Sequence, residues 1–351
     1  MFVNEPTEEE ALETLKGKYG LECQKLEVLA SGRVNRSFLA TVSGSGERLV
    51  LQFLSPVFLK SPALGINWER VSGVMEGRGI PCPRIIRTLD ASLLAEGEGH
   101  ERLARLTTFV PGNRPRAGDP AGAKECGRAL GAAHGALNLP RPLALEPLPR
   151  GGEYTNQRLS AASDFTDFHS LYRLHPKLPL IEAHLERGAR LASELPRSPA
   201  FRKIFFLKDL VIHGDPKGDN FLGGESGYSL IDWDTVSYGD PLIDLAELCR
   251  SLAVGRERPL FNRELAAAVL EGYRETGLSL PESHYRQIAA AIRAVAVTLG
   301  RRYLRDALLE NYFVWDRDKH PSRLEQDASR AWDLFDLAEE LYLREMELLD
   351  L

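Results

Sequence analysis

The chain has 351 residues, 43% of them hydrophobic, with 44 Lys and Arg against 50 Asp and Glu for a formal net charge of −6. That is enough apolar content for a sizeable core and two lobes, and the slight acidic balance excludes a broad basic surface for nucleic acid or an anionic membrane. Cys23, Cys82, Cys126 and Cys249 are too scattered for a disulfide framework or a metal knuckle, no charged-apolar-small leader opens the chain, and Arg293 interrupts the most apolar helix (288–299); a cytosolic protein with reduced thiols is expected.

Thr7 with Glu10 forms a capping-box pattern, and Ala11, Leu12 and Leu15 continue at helical spacing to Gly20, predicting an amphipathic first helix. Strand-like runs follow at 24–29, 36–42 and 47–54, with Gly44-Ser45-Gly46 joining the second to the third in an antiparallel meander. The turn between the first two holds one glycine, Gly32, together with Asn35, and reads equally as a plain hairpin turn. Residues 62–77 form a helix with Leu64, Trp68, Val71 and Met75 on one face, and Glu69 either points at the site or, as is more common, is a surface charge. Strands return at 84–88 and 103–110, where Phe109-Val110-Pro111-Gly112 ends extended backbone in a Pro-Gly break that sets the lobe boundary at 110–113.

Helix 121–137 is rich in Ala and Gly and suits close packing; His134 on it reads as a core residue or a brace rather than a ligand. Residues 139–149 carry four prolines and the chain stays irregular to 169, a covering loop or a surface excursion, before helix 177–195.

The stretch 211–244 carries the chemistry. Val211-Ile212 form a short buried strand, and Pro216 and Gly218 keep the following loop from becoming helix. Phe221-Leu222 and residues 228–231 read as strands joined by Gly223-Gly224-Glu225-Ser226-Gly227; as a hairpin they set Asn220 beside Asp232, with Asp234 two residues on. Any single Asp or Asn here is an ordinary turn former. Asp215, Asn220 and Asp232 at this spacing, between apolar strands, match what phosphoryl transfer needs: a carboxylate to orient and deprotonate a hydroxyl, and hard oxygens for Mg²⁺. Asp240-Pro241 opens a further helix, and Asp240 and Asp244 either cap it or accept hydrogen bonds from the loop and His213.

Helices at 262–276, 284–315 and 323–351 complete the chain. Arg301-Arg302-Tyr303-Leu304-Arg305-Asp306 and then Tyr312-Phe313 mix rings and charges in a way that fits a sugar, although basic residues on a helix face are commonly just solvated.

His213-x-Asp215-x-x-x-x-Asn220 with Ile231-Asp232-Trp233-Asp234 resembles the catalytic and metal-binding segments of the aminoglycoside phosphotransferase and choline kinase family, relatives of the protein kinases. The resemblance implies a bilobal protein-kinase-like α+β fold, with a small antiparallel-sheet nucleotide lobe (1–110) and a larger, mainly helical catalytic lobe (111–351). It implies ATP and Mg²⁺, a small-molecule hydroxyl acceptor, Asp215 as base, Asn220, Asp232 and Asp234 at the metal, and His213, Asp240 and Asp244 in support. Gly32, Asn35, Gln52, Phe109 and Val110 fall where such enzymes contact nucleotide. Gln52 stands where most kinases carry a phosphate-touching lysine, with Lys60, Arg33 and Arg36 as other cations nearby.

Gly32-Arg33-Val34-Asn35-Arg36-Ser37-Phe38, Leu49-Val50-Leu51-Gln52, Asn67-x-Glu69-Arg70-Val71 and the late Gly300-x-Arg302-Tyr303-Leu304-x-Asp306 with Tyr312-Phe313 look like the N-acetylhexosamine 1-kinase branch, in which Gln is familiar at the strand position. That likeness implies sugar binding by Arg302, Asp306 and Tyr312. It departs at His213-Gly214-Asp215, where the branch has His-Asn-Asp, and at Arg305, where it has a small hydroxyl residue. An aminoglycoside, choline-like or other metabolite acceptor, and a nucleotide-binding pseudokinase, remain the alternatives.

Overall fold

The computed structural model describes residues 6–29, 35–55, 61–96, 103–148, 165, 168, 170–195, 207, 209–224, 227–255 and 260–344. Over these residues the chain is α+β, an N-terminal antiparallel sheet followed by a mainly helical part, as the residue patterns predict. It divides into two compact units, Met1–Pro111 with Leu143–Glu153 and Tyr312–Val314, and Gly112–Pro142 with Tyr154–Asn311 and Trp315–Leu351. Among the described residues no helix is long and apolar enough to cross a membrane, and no disulfide joins the four cysteines.

The first unit opens with α1 (Glu8–Tyr19), where Thr7 Oγ1 accepts from Glu10 N–H and Glu10 Oε2 from Thr7 N–H, completing the capping box. The sheet runs β1 (Cys23–Leu29), β2 (Arg36–Val42), β3 (Arg48–Phe53), β6 (Leu103–Thr108), β4 (Ile85–Ile86), all antiparallel, with β5 (Ala95–Glu96) also on β6. Period-two alternation gives it two faces. Phe38, Leu49, Leu51, Phe53, Ala104 and Leu106 join Ala11, Leu15 and Tyr19 of α1 in one core, each fully buried Leu or Phe contributing about 1.5–3 kcal/mol. The alternate positions Ser37, Gln52 and Arg105 lie in register across β2, β3 and β6.

α2 (Pro62–Gly77) starts at a Ser61 cap with Pro in its first turn and buries Leu64, Trp68, Val71 and Met75. Glu69 does not turn inward: it pairs with Arg87 at 2.6 Å on the surface, half-exposed. The proline-rich segment is docked on α2, since Asn67 exchanges hydrogen bonds with the Glu146 backbone at 3.0 and 2.7 Å and Arg70 reaches Glu146 Oε1 at 2.7 Å.

In the second unit α3 (Pro120–Asn138) and α6 (Arg263–Thr276) approach backbone to backbone. A Cβ on Gly127 would stand 2.0 Å from Val269 O, and one on Gly272 would stand 1.9 Å from Lys124 O. Only glycine permits this approach. The hairpin β8 (Phe221–Gly224) and β9 (Gly227–Leu230) forms as expected, while β7 (Leu210–Ile212) pairs with β10 (Ser237–Gly239). Helices α4 (Glu182–Glu194), α5 (Pro241–Leu252), α7 (Glu282–Tyr285), α8 (Ile288–Leu309) and α9 (Arg323–Leu343) supply the rest.

Two helices differ from expectation. The segment expected to be helical over 177–195 begins as a 3₁₀ turn at Leu178–Ile181, which contains Pro179. The helix expected over 284–315 is two: it breaks at Arg286–Gln287, and α8 stops at Leu309 because Glu310 takes a left-handed backbone (φ 52°). Tyr312 and Phe313 therefore leave the helix that carries Arg302 and Asp306.

Candidate active site

β7 and the loop after it are fixed from three sides by buried groups. Asn138, at the end of α3, pairs with Val211 like a strand: Val211 N–H donates to its Oδ1 at 2.7 Å and its Nδ2 donates to Val211 O at 2.9 Å. Asp244, fully buried on α5, accepts the N–H groups of His213 (2.7 Å) and Gly214 (2.9 Å) on its two carboxylate oxygens. His134 Nε2 lies 3.0 Å from Asp244 Oδ2, and His134 Nδ1 lies 2.9 Å from the Tyr273 hydroxyl. Burial holds the Tyr273 phenol well above its ordinary range, so it keeps its proton and donates to Nδ1, while Nε2–H donates to Asp244. The close α3–α6 packing is what brings Tyr273 to His134. His134 is thus a brace in the relay Tyr273, His134, Asp244, loop.

Gly214 sits at φ +88°, a region that Gly adopts freely and Asn more readily than other residues. His213 is fully buried; desolvation lowers its pKa, and its ring takes the neutral form that both partners require. Its Nε2–H donates to Ile231 O at 3.0 Å and its Nδ1 accepts Asp215 N–H at 3.2 Å. The ring also packs on Trp233, 4.5 Å between centroids. One imidazole thus ties the loop to the end of the hairpin.

Asn220 lies at the start of β8, with Ile231 N–H on its carbonyl at 2.9 Å, so Asp232 follows one residue beyond the paired position. Asn220 Nδ2 donates to Asp215 O at 2.8 Å, leaving Oδ1 as the hard oxygen of that amide. Asp232 is held in the left-handed region (φ 68°, ψ 64°), a conformation non-glycine residues adopt at a cost and one that recurs at functional sites. Asp234, in the 3₁₀ turn after it, is buried. Among the described residues no group of three or more His, Cys, Asp and Glu side chains gathers to hold a metal. An Asn oxygen and a carboxylate still suit Mg²⁺, which takes few protein ligands and completes its shell with phosphate oxygens and water.

The residue missed in the sequence is Lys217. Its ammonium pairs with Asp215 Oδ2. Burial works against its charge, but Asp215, Asp232 and Glu247 override that and raise its pKa. Lys217 stands two residues from Asp215 across a three-residue turn about Pro216, closed by Lys217 N–H on Asp215 O at 2.9 Å. Asp240 does not reach the loop; it caps α5 through Leu242 N–H (3.0 Å) and accepts from His284 Nε2 (2.8 Å).

On the first unit, Gly32, Arg33 and Lys60 lie outside the described residues. Asn35 Oδ1 accepts Ser55 N–H at 2.9 Å, bracing the end of β3. Arg36 rests over the Phe38 ring at 5.7 Å. Phe109 N–H is spent on Arg48 O at 3.3 Å. Gln52 Oε1 is held by Arg105, and Gln52 Nε2 donates to Ser37 Oγ at 3.1 Å. On α8, Asp306 is buried and its Oδ1 accepts Asn311 N–H at 2.8 Å, so it fixes the turn that ends the helix.

A sequence model of the phosphotransferase enzyme family matches residues 25–278. No curated protein matches the chain. Similar solved structures include amicoumacin kinase hAmiN in complex with AMP-PNP, Ca²⁺ and Ami (14% identity, 94% of each chain, TM-score 0.65). An aminoglycoside phosphotransferase from Alicyclobacillus acidocaldarius subsp. acidocaldarius is 17% identical over 98% of each chain, with a TM-score of 0.62. A choline/ethanolamine kinase family protein from Mesorhizobium loti is 17% identical over 96% of this chain and 99% of its own, with a TM-score of 0.58. At these identities the likeness is one of fold, and the fold is the kinase-like one.

Proposed function

The chain belongs to the phosphotransferase enzyme family, and on that premise we propose that it is an ATP- and Mg²⁺-dependent kinase acting on a sugar hydroxyl, the anomeric hydroxyl of an N-acetylhexosamine or a related sugar. The reading rests on the loop 213–220: Asp244 clamps its backbone, and it gathers the Asp215 carboxylate, the Lys217 ammonium and the Asn220 amide in one turn. The AMP-PNP and Ca²⁺ bound by the amicoumacin kinase support an adenine nucleotide with a divalent cation.

Asp215 accepts the proton of the acceptor hydroxyl as its oxygen bonds to the γ-phosphorus and the bridging P–O bond to ADP breaks. Lys217 moves from Asp215 to the transferring phosphoryl oxygens and offsets their charge. Asn220 and Asp232, with Asp234, would hold Mg²⁺, which when bound would offset the phosphate charge. Gly32, Asn35, Gln52, Phe109 and Val110 are the nucleotide contacts that this reading assigns.

For the acceptor, the likeness of 300–313 to the N-acetylhexosamine 1-kinases supports a sugar, and the basic run Arg301, Arg302, Arg305 disfavours a polycation. Arg302 and Tyr312 are the contacts, and Asp306 acts by holding the Asn311 turn. Phosphorus NMR of the protein with ATP, Mg²⁺ and a panel of sugars and amino alcohols tests this: a sugar 1-phosphate is expected. Phosphorylation of amino alcohols alone would overturn the sugar reading while leaving the reaction class intact.

A further inference from the structure

The side chain at the strand position usually held by lysine is not isolated. Arg105, opposite Gln52 in the β3–β6 register, puts Nε at 2.9 Å and Nη2 at 2.8 Å from Gln52 Oε1. Arg105 is fully buried and its guanidinium stacks on the Trp68 ring of α2, 3.8 Å from the centroid. Gln52 itself is only half-buried. Its amide thus stands between a buried fixed cation and the open side of the sheet.

This geometry decides which way the amide faces. A guanidinium has only donors, so the atom it grips must be the carbonyl oxygen, and the NH₂ group is directed away. One amide hydrogen goes to Ser37 Oγ at 3.1 Å; the second remains to be donated. The guanidinium also polarises the amide it grips, making that N–H a stronger donor. Two groups, one buried and one half-buried, thereby present a positive edge where a single lysine ammonium otherwise would.

We infer that Arg105 is a positioning residue for nucleotide: it locks and polarises Gln52 so that the Gln52 amide donates to a nucleotide phosphate, and the pair replaces the strand lysine as a unit. The inference rests on the ATP reading above. It also means that lysine is no longer interchangeable at position 52, because its ammonium would meet the Arg105 guanidinium with little solvent between them.

Binding of Mg²⁺·AMP-PNP by calorimetry, with no acceptor present, tests it on the full chain and its Gln52→Leu, Arg105→Met and doubly substituted variants, each checked by its melting curve. Loss of one charge-assisted hydrogen bond should weaken binding about tenfold in either single variant. Because Arg105 acts through Gln52, the double variant should bind no more weakly than the weaker single one. Arg105→Lys, which keeps the charge and a donor, should recover most of the affinity.

Wild-type affinity in a folded Arg105→Met variant, or losses that multiply in the double variant to about a hundredfold, would overturn the inference. Should Arg105→Met not fold, Gln52→Lys decides: weaker binding than wild type is expected, and equal or tighter binding overturns the pairing. A wild-type chain that does not bind Mg²⁺·AMP-PNP defeats the nucleotide reading itself, which a failure of the Arg105 variants alone does not.

Discussion

The loop 213–220 and the late segment 302–312 both carried predicted site residues, and the fold treats them oppositely. Around the loop buried polar groups hold the candidate residues in place: Asp244 takes two backbone amides, His213 ties Asp215 to Ile231, and Asn220 ties itself to Asp215. In the late segment Asp306 is spent on the turn and Tyr312 lies beyond a reversal at Glu310.

The comparison breaks first at Asp215. Asp215→Asn should lower kcat by about three orders of magnitude with the melting temperature unchanged, measured as ATP consumption with the phosphorylated acceptor. Activity within a few-fold of wild type would remove the loop from the chemistry. Lys217→Met should cost about a hundredfold in kcat with the acceptor KM little changed, the signature of charge stabilisation made in the transition state. An effect on the acceptor KM alone would move Lys217 to the acceptor side.

Asp244→Asn sharpens the loop side through stability. An amide cannot accept both loop N–H groups and the His134 N–H, so about 2 kcal/mol of stability should be lost together with part of kcat, by denaturant melts and rates on the same preparation. For the late segment, Arg302→Ala should raise the acceptor KM about tenfold and leave Mg²⁺·ATP binding untouched. Equal effects on both would show that the segment serves folding.

The smallest effect is a pH dependence. Burial, and then the charge of Asp306 beside it, push the Asp327 carboxyl up to about 7. An acid whose pKa is raised in the fold favours folding while protonated, and that contribution is lost as pH rises from the ordinary carboxylate range through about 7. Asp327→Asn stays neutral, so its melting temperature should gain on wild type as pH rises between about 5 and 8. A pH-independent difference would mean that Asp327 is ionised throughout.

Much of this was legible because it is local. The Thr7 capping box, the alternation of β2 and β3, the face of α2 and the Asn220–Asp232 hairpin depend on residues a few positions apart. The break at Glu310 was missed because helical periodicity runs through it, and nothing apolar marks a left-handed residue. The sequence left Glu69 open between the site and the surface, because the partner that holds it at the surface, Arg87, is eighteen positions away.

By itself the sequence determined the sheet, the helices and the phosphoryl-transfer spacing, since period and turn chemistry act over short distances. Only the tertiary structure decided that Tyr273 and His134 stand behind Asp244, and that Gln52 answers to a buried arginine. Those contacts cross 53 to 139 positions of chain. They exist because α3 meets α6 through facing glycines and because β3 pairs with β6, and no local pattern encodes which distant element will arrive.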